Sequence, residues 1–260
     1  TGDAADNLLA GCAGNDTLNG GTGADNLDGG AGIDTVSYAT SSAAVTVDLA
    51  AGTATGGDAQ GDTLISIENL TGSSNHDTLL GDAGANVING GAGDDIIEGG
   101  DGNDTLNGGD GADTASYEHA AAGVVVSLAS TGVQKTLGAG NDKLCGFENL
   151  TGSAFDDILT GTAGDNVLSG NNGDDLLTGG AGADTLIGGA GNDQFKFLKP
   201  TDGGDIITDF TTGQDTIAIQ KSGFCIKGNF DATDFAQHYF VGGDGAAATE
   251  AGHGQFLFDT

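Results

Sequence analysis

An all-β solenoid, closed at its C-terminal end by a β-rich cap, is the fold this sequence predicts. Three observations predict it. A nine-residue unit, Gly-Gly-x-Gly-x-Asp-x-apolar-x, recurs fourteen times at a fixed phase. A longer step overlies it: Asp34-Thr35-Val36-Ser37-Tyr38 returns after 79 residues as Asp113-Thr114-Ala115-Ser116-Tyr117, and Glu68-Asn69-Leu70-Thr71-Gly72-Ser73 returns after 80 as Glu148-Asn149-Leu150-Thr151-Gly152-Ser153. Glycine supplies 51 of the 260 residues and proline one, and the arrays contain no helical pattern of useful length. In each unit the glycines allow positive φ and a sharp turn, and the apolar residue at position eight points inward from a short strand. A six-residue loop and a three-residue strand make half a turn. Two units then make one coil, and coils stack at the ~4.8 Å strand spacing, so units n and n+2 lie one above the other.

The elements follow in order. Residues 1–38 form a first block, with units starting at Gly2, Gly11, Gly20 and Gly29 and sixth positions Asn7, Asp16, Asp25 and Asp34. Residues 39–71 are a β-rich connecting segment whose runs 45–49 and 64–70 read as strands by their alternating and β-branched residues. The second block, 72–117, starts units at Gly72, Gly81, Gly90, Gly99 and Gly108, with Asp77, Asn86, Asp95, Asp104 and Asp113 at position six. Residues 118–151 repeat the connecting pattern in runs 124–128 and 144–150. The third block, 152–197, starts at Gly152, Gly161, Gly170, Gly179 and Gly188, with Asp157, Asn166, Asp175, Asp184 and Asp193. The predicted inward set is Leu9, Leu18, Leu27, Val36, Leu79, Ile88, Ile97, Leu106, Ala115, Leu159, Leu168, Leu177, Leu186 and Phe195. Residues 198–260 bring aromatics (Phe210, Phe224, Phe230, Phe235, Tyr239, Phe240, Phe256, Phe258) and read as a cap over the last open coil. The Asn unit is second of five in blocks two and three. Asn7 is expected to be second too, which places a unit before Thr1 and makes the chain a fragment of something longer.

Charge and motifs exclude several functions. Asp plus Glu number 38 against 6 Lys plus Arg, a net charge of −32, which excludes nucleic acid and disfavours anionic membrane. No stretch of 18 apolar residues offers a membrane span, and no signal peptide opens the chain. Cys12, Cys145 and Cys225 are odd in number and far apart, so they read as free thiols, Cys12 standing in place of a turn glycine. His76, His119, His238 and His253 belong to no His-Glu-x-x-His signature and read as structural or surface residues. No Gly-x-Ser-x-Gly elbow has suitable partners. The chain reads as non-enzymatic, with any catalytic domain upstream.

The chemistry that remains is that of a hard cation. A carboxylate at position six lies beside the bare carbonyls of the turn, and calcium takes ~6–8 such oxygens. Stacked units pair Asp16 with Asp34, Asp77 with Asp95, Asp95 with Asp113, Asp157 with Asp175, and Asp175 with Asp193. On the other side Asn7 pairs with Asp25, Asn86 with Asp104, and Asn166 with Asp184. The Asn sites are expected to be weaker or to mark a closing edge loop. The turn glycines at positions two and four complete the predicted ligand set: Gly21, Gly23, Gly30, Gly32, Gly91, Gly93, Gly100, Gly102, Gly109, Gly111, Gly180, Gly182, Gly189 and Gly191. One inward apolar residue per nine is thin compensation for ordering a glycine-rich backbone. The metal-free chain is therefore predicted to be disordered or loosely collapsed, with metal binding driving folding and magnesium a poor substitute. Asp48, Asp58, Asp62, Glu68, Asp142, Glu148, Asp202, Asp205, Asp209 and Asp215 read either as further calcium ligands or as exposed turn residues. Tyr38 and Tyr117 read as packing residues.

These phased units resemble the RTX (repeats-in-toxin) haemolysin-type calcium-binding nonapeptide family over most of the chain, and the motif is that family's established signature. The resemblance implies a right-handed parallel β-roll or β-helix with calcium in its turns. It also implies secretion from a Gram-negative bacterium through a type I exporter, and folding outside the cell or at its surface. The segment 204–217 resembles the strands that close the roll in secreted metalloproteases of this kind. The ending at Thr260 stops within a pattern, so the terminal export signal is expected to be missing. Three roles fit: a calcium-triggered domain of a larger secreted protein, the accessory tail of a secreted metalloprotease, lipase or polysaccharide epimerase, or a self-associating adhesin or surface-layer module.

Overall fold

The computed structural model describes residues 1–200, 202, 204–220 and the backbone of strand Gln255–Asp259. Cys225, His238, His253, Phe224, Phe230, Phe235, Tyr239 and Phe240 lie outside the described residues.

The described residues are nearly all β, a stack of short, mostly parallel strands in three sheets. Leu8 pairs with Asn26, Thr17 with Thr35, Val87 with Thr105, Ile96 with Thr114, and Ile158 with Leu176. Each pair is two nonapeptides apart, so one coil holds two units. Among the described residues the sole helical element is a short 3-10 turn, Gly57–Ala59.

The longest sheet runs through all three repeat blocks, and the two shorter ones flank it in succession. A 12-stranded sheet extends from Leu8–Ala10, through Thr78–Leu80, Ile96–Glu98 and Thr114–Ser116, to Asn149–Thr151, Thr185–Ile187 and Ile206–Ile207. A 7-stranded sheet joins Thr17–Leu18 and Thr35–Ser37 to Asn69–Thr71, Val87–Ala92 and Thr105–Asp110. A 6-stranded sheet opens at Val125–Ser127 and continues through Ile158–Thr160, Leu176–Thr178 and Gln194–Phe197 to Thr216–Gln220 and Gln255–Asp259. The blocks therefore form one continuous solenoid.

The connecting segments depart from the parallel pattern. Thr46–Asp48 pairs antiparallel with Thr53–Thr55, and Gln134–Leu137 pairs antiparallel with Gly140–Cys145. Run 64–70 is two strands, not one. Thr63–Ile65 joins Asn26–Asp28 in the long sheet, whereas Asn69–Thr71 joins Thr35–Ser37 in the second. The chain turns between them at Ser66, which takes a left-handed φ of 51°. Run 144–150 divides in the same way at Gly146, φ 67°.

The core is a column of single inward residues. Leu27, Val36, Leu79, Ile88, Ile97, Leu106, Ala115, Leu159, Leu168, Leu177, Leu186 and Phe195 are fully buried, Leu18 nearly so, and Leu9 at the open end is partly covered. Their strand neighbours Val87, Ile96, Ile158 and Val167 face solvent, as a period of two requires. Each fully buried Leu, Ile, Val or Phe of this column contributes ~1.5–3 kcal/mol.

Candidate metal-binding ladders

The turns are built by glycines that no other residue replaces cheaply. At positions two and four Gly21, Gly23, Gly30, Gly32, Gly91, Gly93, Gly100, Gly102, Gly109, Gly111, Gly180, Gly182, Gly189 and Gly191 have φ between 89° and 157°. A Cβ on Gly109 or Gly111 would strike the carbonyl oxygen of Gly91 or Gly93 in the loop stacked against it. Stacked loops thus press carbonyls against one another's backbone. Cys12 (φ 77°) and Asn171 (φ 73°) occupy the same kind of position without being glycine.

Position six forms a ladder along each edge. The backbone N–H of each residue donates to Oδ1 of the aspartate one coil further on, at 2.7–3.0 Å, in all eight stacked pairs expected from the sequence: 7–25, 16–34, 77–95, 86–104, 95–113, 157–175, 166–184 and 175–193. The second carboxylate oxygen behaves differently. Oδ2 of Asp16, Asp25, Asp34, Asp95, Asp104, Asp113, Asp175, Asp184 and Asp193 is buried with no hydrogen-bond partner, as are Oδ1 of Asp202 and Oδ2 of Asp205. Carbonyls converge on the same places. A Cβ on Gly11 would lie 2.6 Å from Gly29 O and 2.8 Å from Asp16 Oδ2, and Gly90 and Gly170 repeat the arrangement with Gly108 O and Asp95, and with Gly188 O and Asp175. Among the described residues no three His, Cys, Asp or Glu side chains form a metal-holding group. The donor set is instead carboxylates with backbone carbonyls, which suits a hard cation.

A buried carboxylate oxygen without a donor is unfavourable, and the titration behaviour reflects it. Burial pushes Asp104 and Asp175 up to about 7 and Asp95 and Asp205 up to about 6, with stacked carboxylates adding to the rise. Burial likewise raises Asp62, Asp113, Asp142, Asp157, Asp184 and Asp193. A cation held among these oxygens would supply the missing positive charge.

Five loops at the starts of ladders close themselves. Their position-two residue is polar rather than glycine. Ser73 donates from Oγ and N–H to Asp77, and Ser153 does the same to Asp157. Thr162 Oγ1 donates to Asn166 Oδ1 at 3.1 Å, while Asn86 and Asn7 donate from Nδ2 to Asp82 and Asp3. Asn86 and Asn166 also donate to the carbonyls of Glu68 and Glu148, at 2.7 and 2.6 Å. Their amides thus join one block's ladder to the next.

The far ends use acids outside the nonapeptides. Asp25, Asp34, Asp104, Asp113, Asp184 and Asp193 donate their N–H groups to Asp62, Glu68, Asp142, Glu148, Asp205 and Asp215 respectively. Tyr38 and Tyr117 are more than packing: their hydroxyls donate to Oδ2 of Asp62 (2.9 Å) and Asp142 (3.2 Å). Asp209 accepts from Gly188 and Gly189, and Asp202 from Leu198 and Lys199. Asp48 accepts from Ala51 inside its own turn, and Asp58 donates its N–H to Ser41 Oγ.

Sequence reasoning missed an outer ladder at position five. Asp6, Asn15, Asp94, Asp156, Asp165 and Asp174 accept the N–H of the residue 18 positions on, and His76 Nδ1 accepts from Asp94. The signal was present as Asp, Asn or His at that position. His119 bonds Glu98 at 2.9 Å, and Cys12 and Cys145 are free and exposed.

Stacked half-turn loops with inward carboxylates and bare carbonyls define a cation-binding parallel β-solenoid. The model of the RTX calcium-binding nonapeptide repeat (4 copies) matches residues 1–36, 71–106, 80–115, 146–177 and 160–195, about half of the chain. The chain belongs to that family, and its repeats bind calcium ions. A comparison with curated proteins finds no match.

Proposed function

We propose that the position-six aspartates, with the carbonyls of the turns beside them, hold calcium between stacked loops, and that this binding folds the domain outside the cell. Calcium supplies charge neutralisation and a bridge between coils. The protein's own residues supply the rest: the glycines admit the close approach, the N–H to Oδ1 ladder orients each carboxylate, and the inward column fixes the spacing. The observation that carries this reading is the set of buried Oδ2 atoms without a donor. A charge of −32 supports a chain that stays unfolded until divalent cations are plentiful. Membership of a repeat family typical of secreted bacterial proteins supports a role as the calcium-triggered, non-catalytic module of a larger exported or surface protein, delivered by a type I exporter. No helix among the described residues is long and apolar enough to cross a membrane. Far-ultraviolet circular dichroism tests the reading. A coil signal in chelator should become β on adding calcium, return with chelator and respond weakly to magnesium. A metal-free chain that is already fully β and melts cooperatively would overturn it.

A further inference from the structure

The last loops of blocks one and two are covered by a turn that imitates a nonapeptide without being one. Above loop 29–34 lies Ser66-Ile67-Glu68, and above loop 108–113 lies Gly146-Phe147-Glu148. The two places match bond for bond. Asp34 donates its N–H to Glu68 Oε2 at 2.7 Å, and Asp113 donates to Glu148 Oε2 at 2.9 Å. The carbonyl of Asp34 accepts from Glu68 and Asn69, and that of Asp113 from Glu148 and Asn149. A Cβ on Gly29 would run into Ser66 O and lie 2.7 Å from Asp34 Oδ2. One on Gly108 would run into Gly146 O and lie 2.5 Å from Asp113 Oδ2. That is the convergence found at Gly11 and Gly90, with Ser66 and Gly146 taking the place of a position-one glycine. Both residues take a left-handed φ at this turn. Asp34 and Asp113 are fully buried, and their Oδ2 atoms have no donor.

In a nonapeptide the stacked carbonyl and the carboxylate are five residues apart, whereas here they are two apart. Glutamate is one methylene longer than aspartate and spans the shortened turn. The other cover in each of these two blocks differs. Asp62 and Asp142 give Oδ2 to Tyr38 and Tyr117, and no stacked carbonyl approaches closer than 3.0 Å to the matching point at Gly20 or Gly99.

We infer that each Ser/Gly-x-Glu turn completes a further divalent-cation site: Asp34 with Glu68 and the Ser66 carbonyl, and Asp113 with Glu148 and the Gly146 carbonyl. The inference rests on the reading that the repeat aspartates hold calcium, so the test carries a control for that reading. Calcium bound per full-length chain is counted by equilibrium dialysis and elemental analysis, with circular dichroism confirming the fold. Glu68→Gln and Glu148→Gln keep an oxygen to accept the Asp N–H but lose the charge. Each should bind one calcium fewer, the double variant two fewer, and Glu68→Asp, being too short, should behave like Glu68→Gln. Glu118→Gln, on the exposed surface, should bind the full number. If Asp95→Asn lowers the count while both Gln variants bind as wild type does, the turns are only hydrogen-bonded covers and the inference fails. If Asp95→Asn also binds in full, the broader reading fails with it. Crystals grown in calcium give a check that needs no variant: density beside Glu68 and Glu148 supports the sites, and its absence with ions present at Asp95 refutes them.

Discussion

Replacing Asp95 by Asn should move stability in opposite directions with and without calcium. Asp95 is central to a ladder: Asp77 N–H donates to its Oδ1 and its own N–H donates to Asp113 Oδ1, both at 2.8 Å, while its Oδ2 is buried without a donor. Asparagine retains an oxygen for Asp77 and removes the charge. Without metal that charge opposes folding, because burial between Asp77 and Asp113 pushes the carboxyl up to about 6. Its removal should stabilise the metal-free coil by on the order of 1 kcal/mol once solvent screening is allowed for. With calcium the same change takes a charged ligand from two stacked loops. A tenfold loss at each corresponds to ~1.4 kcal/mol per site, or ~3 kcal/mol in all. Urea midpoints in saturating calcium should fall. In chelator, folding induced by a stabilising osmolyte should need less osmolyte. Asp94→Asn, on the exposed outer ladder, should change either midpoint by less than ~0.5 kcal/mol. A shift of the same sign in both conditions, or equal effects at residues 94 and 95, would refute the reasoning.

Further outcomes follow from the same geometry. Asp95, Asp104, Asp175 and Asp205 have folded-state values of about 6 to 7, above the ~4 of an unfolded chain, so their contribution to the metal-free fold is present below pH ~4 and lost as pH rises through 6 to 7. The β signal in chelator should therefore be greatest in acid, whereas the calcium needed for half-saturation should rise as pH falls from 7 to 6; dichroism and calcium titration across pH check both. Tyr117→Phe leaves a buried oxygen of Asp142 without its donor and should cost ~1–3 kcal/mol in denaturant unfolding with calcium bound. Leu106→Ala opens a cavity in the single-file core and should cost ~2–5 kcal/mol by the same assay. Cys12→Gly relieves a left-handed φ of 77° at an exposed residue and should raise stability by up to about 1 kcal/mol.

The repeat blocks were legible because one short period encodes everything local about them. Position eight falls inside, positions two and four turn, and two units per coil place Asp95 between Asp77 and Asp113. The connecting segments were less legible because their contacts depend on the path of the chain. Tyr38 meets Asp62 across 24 residues, and no spacing rule announces that pair. Run 64–70 alternates like one strand, and its division rests on a left-handed Ser66, a conformation serine seldom adopts. Its counterpart Gly146 carried the clearer sign. The departures from glycine at Asp3, Ser73, Asp82, Ser153 and Thr162 were visible as irregularities, but their meaning as self-closed loops needed the hydrogen bonds to residues 7, 77, 86, 157 and 166.

Anomalous diffraction from crystals grown in calcium addresses the ladders most directly. Peaks are predicted between the stacked turns, against Oδ2 of Asp16, Asp95 and Asp175, with each ion also touching a turn carbonyl. Turns filled by water alone, with those oxygens hydrogen-bonded to it, would contradict the account.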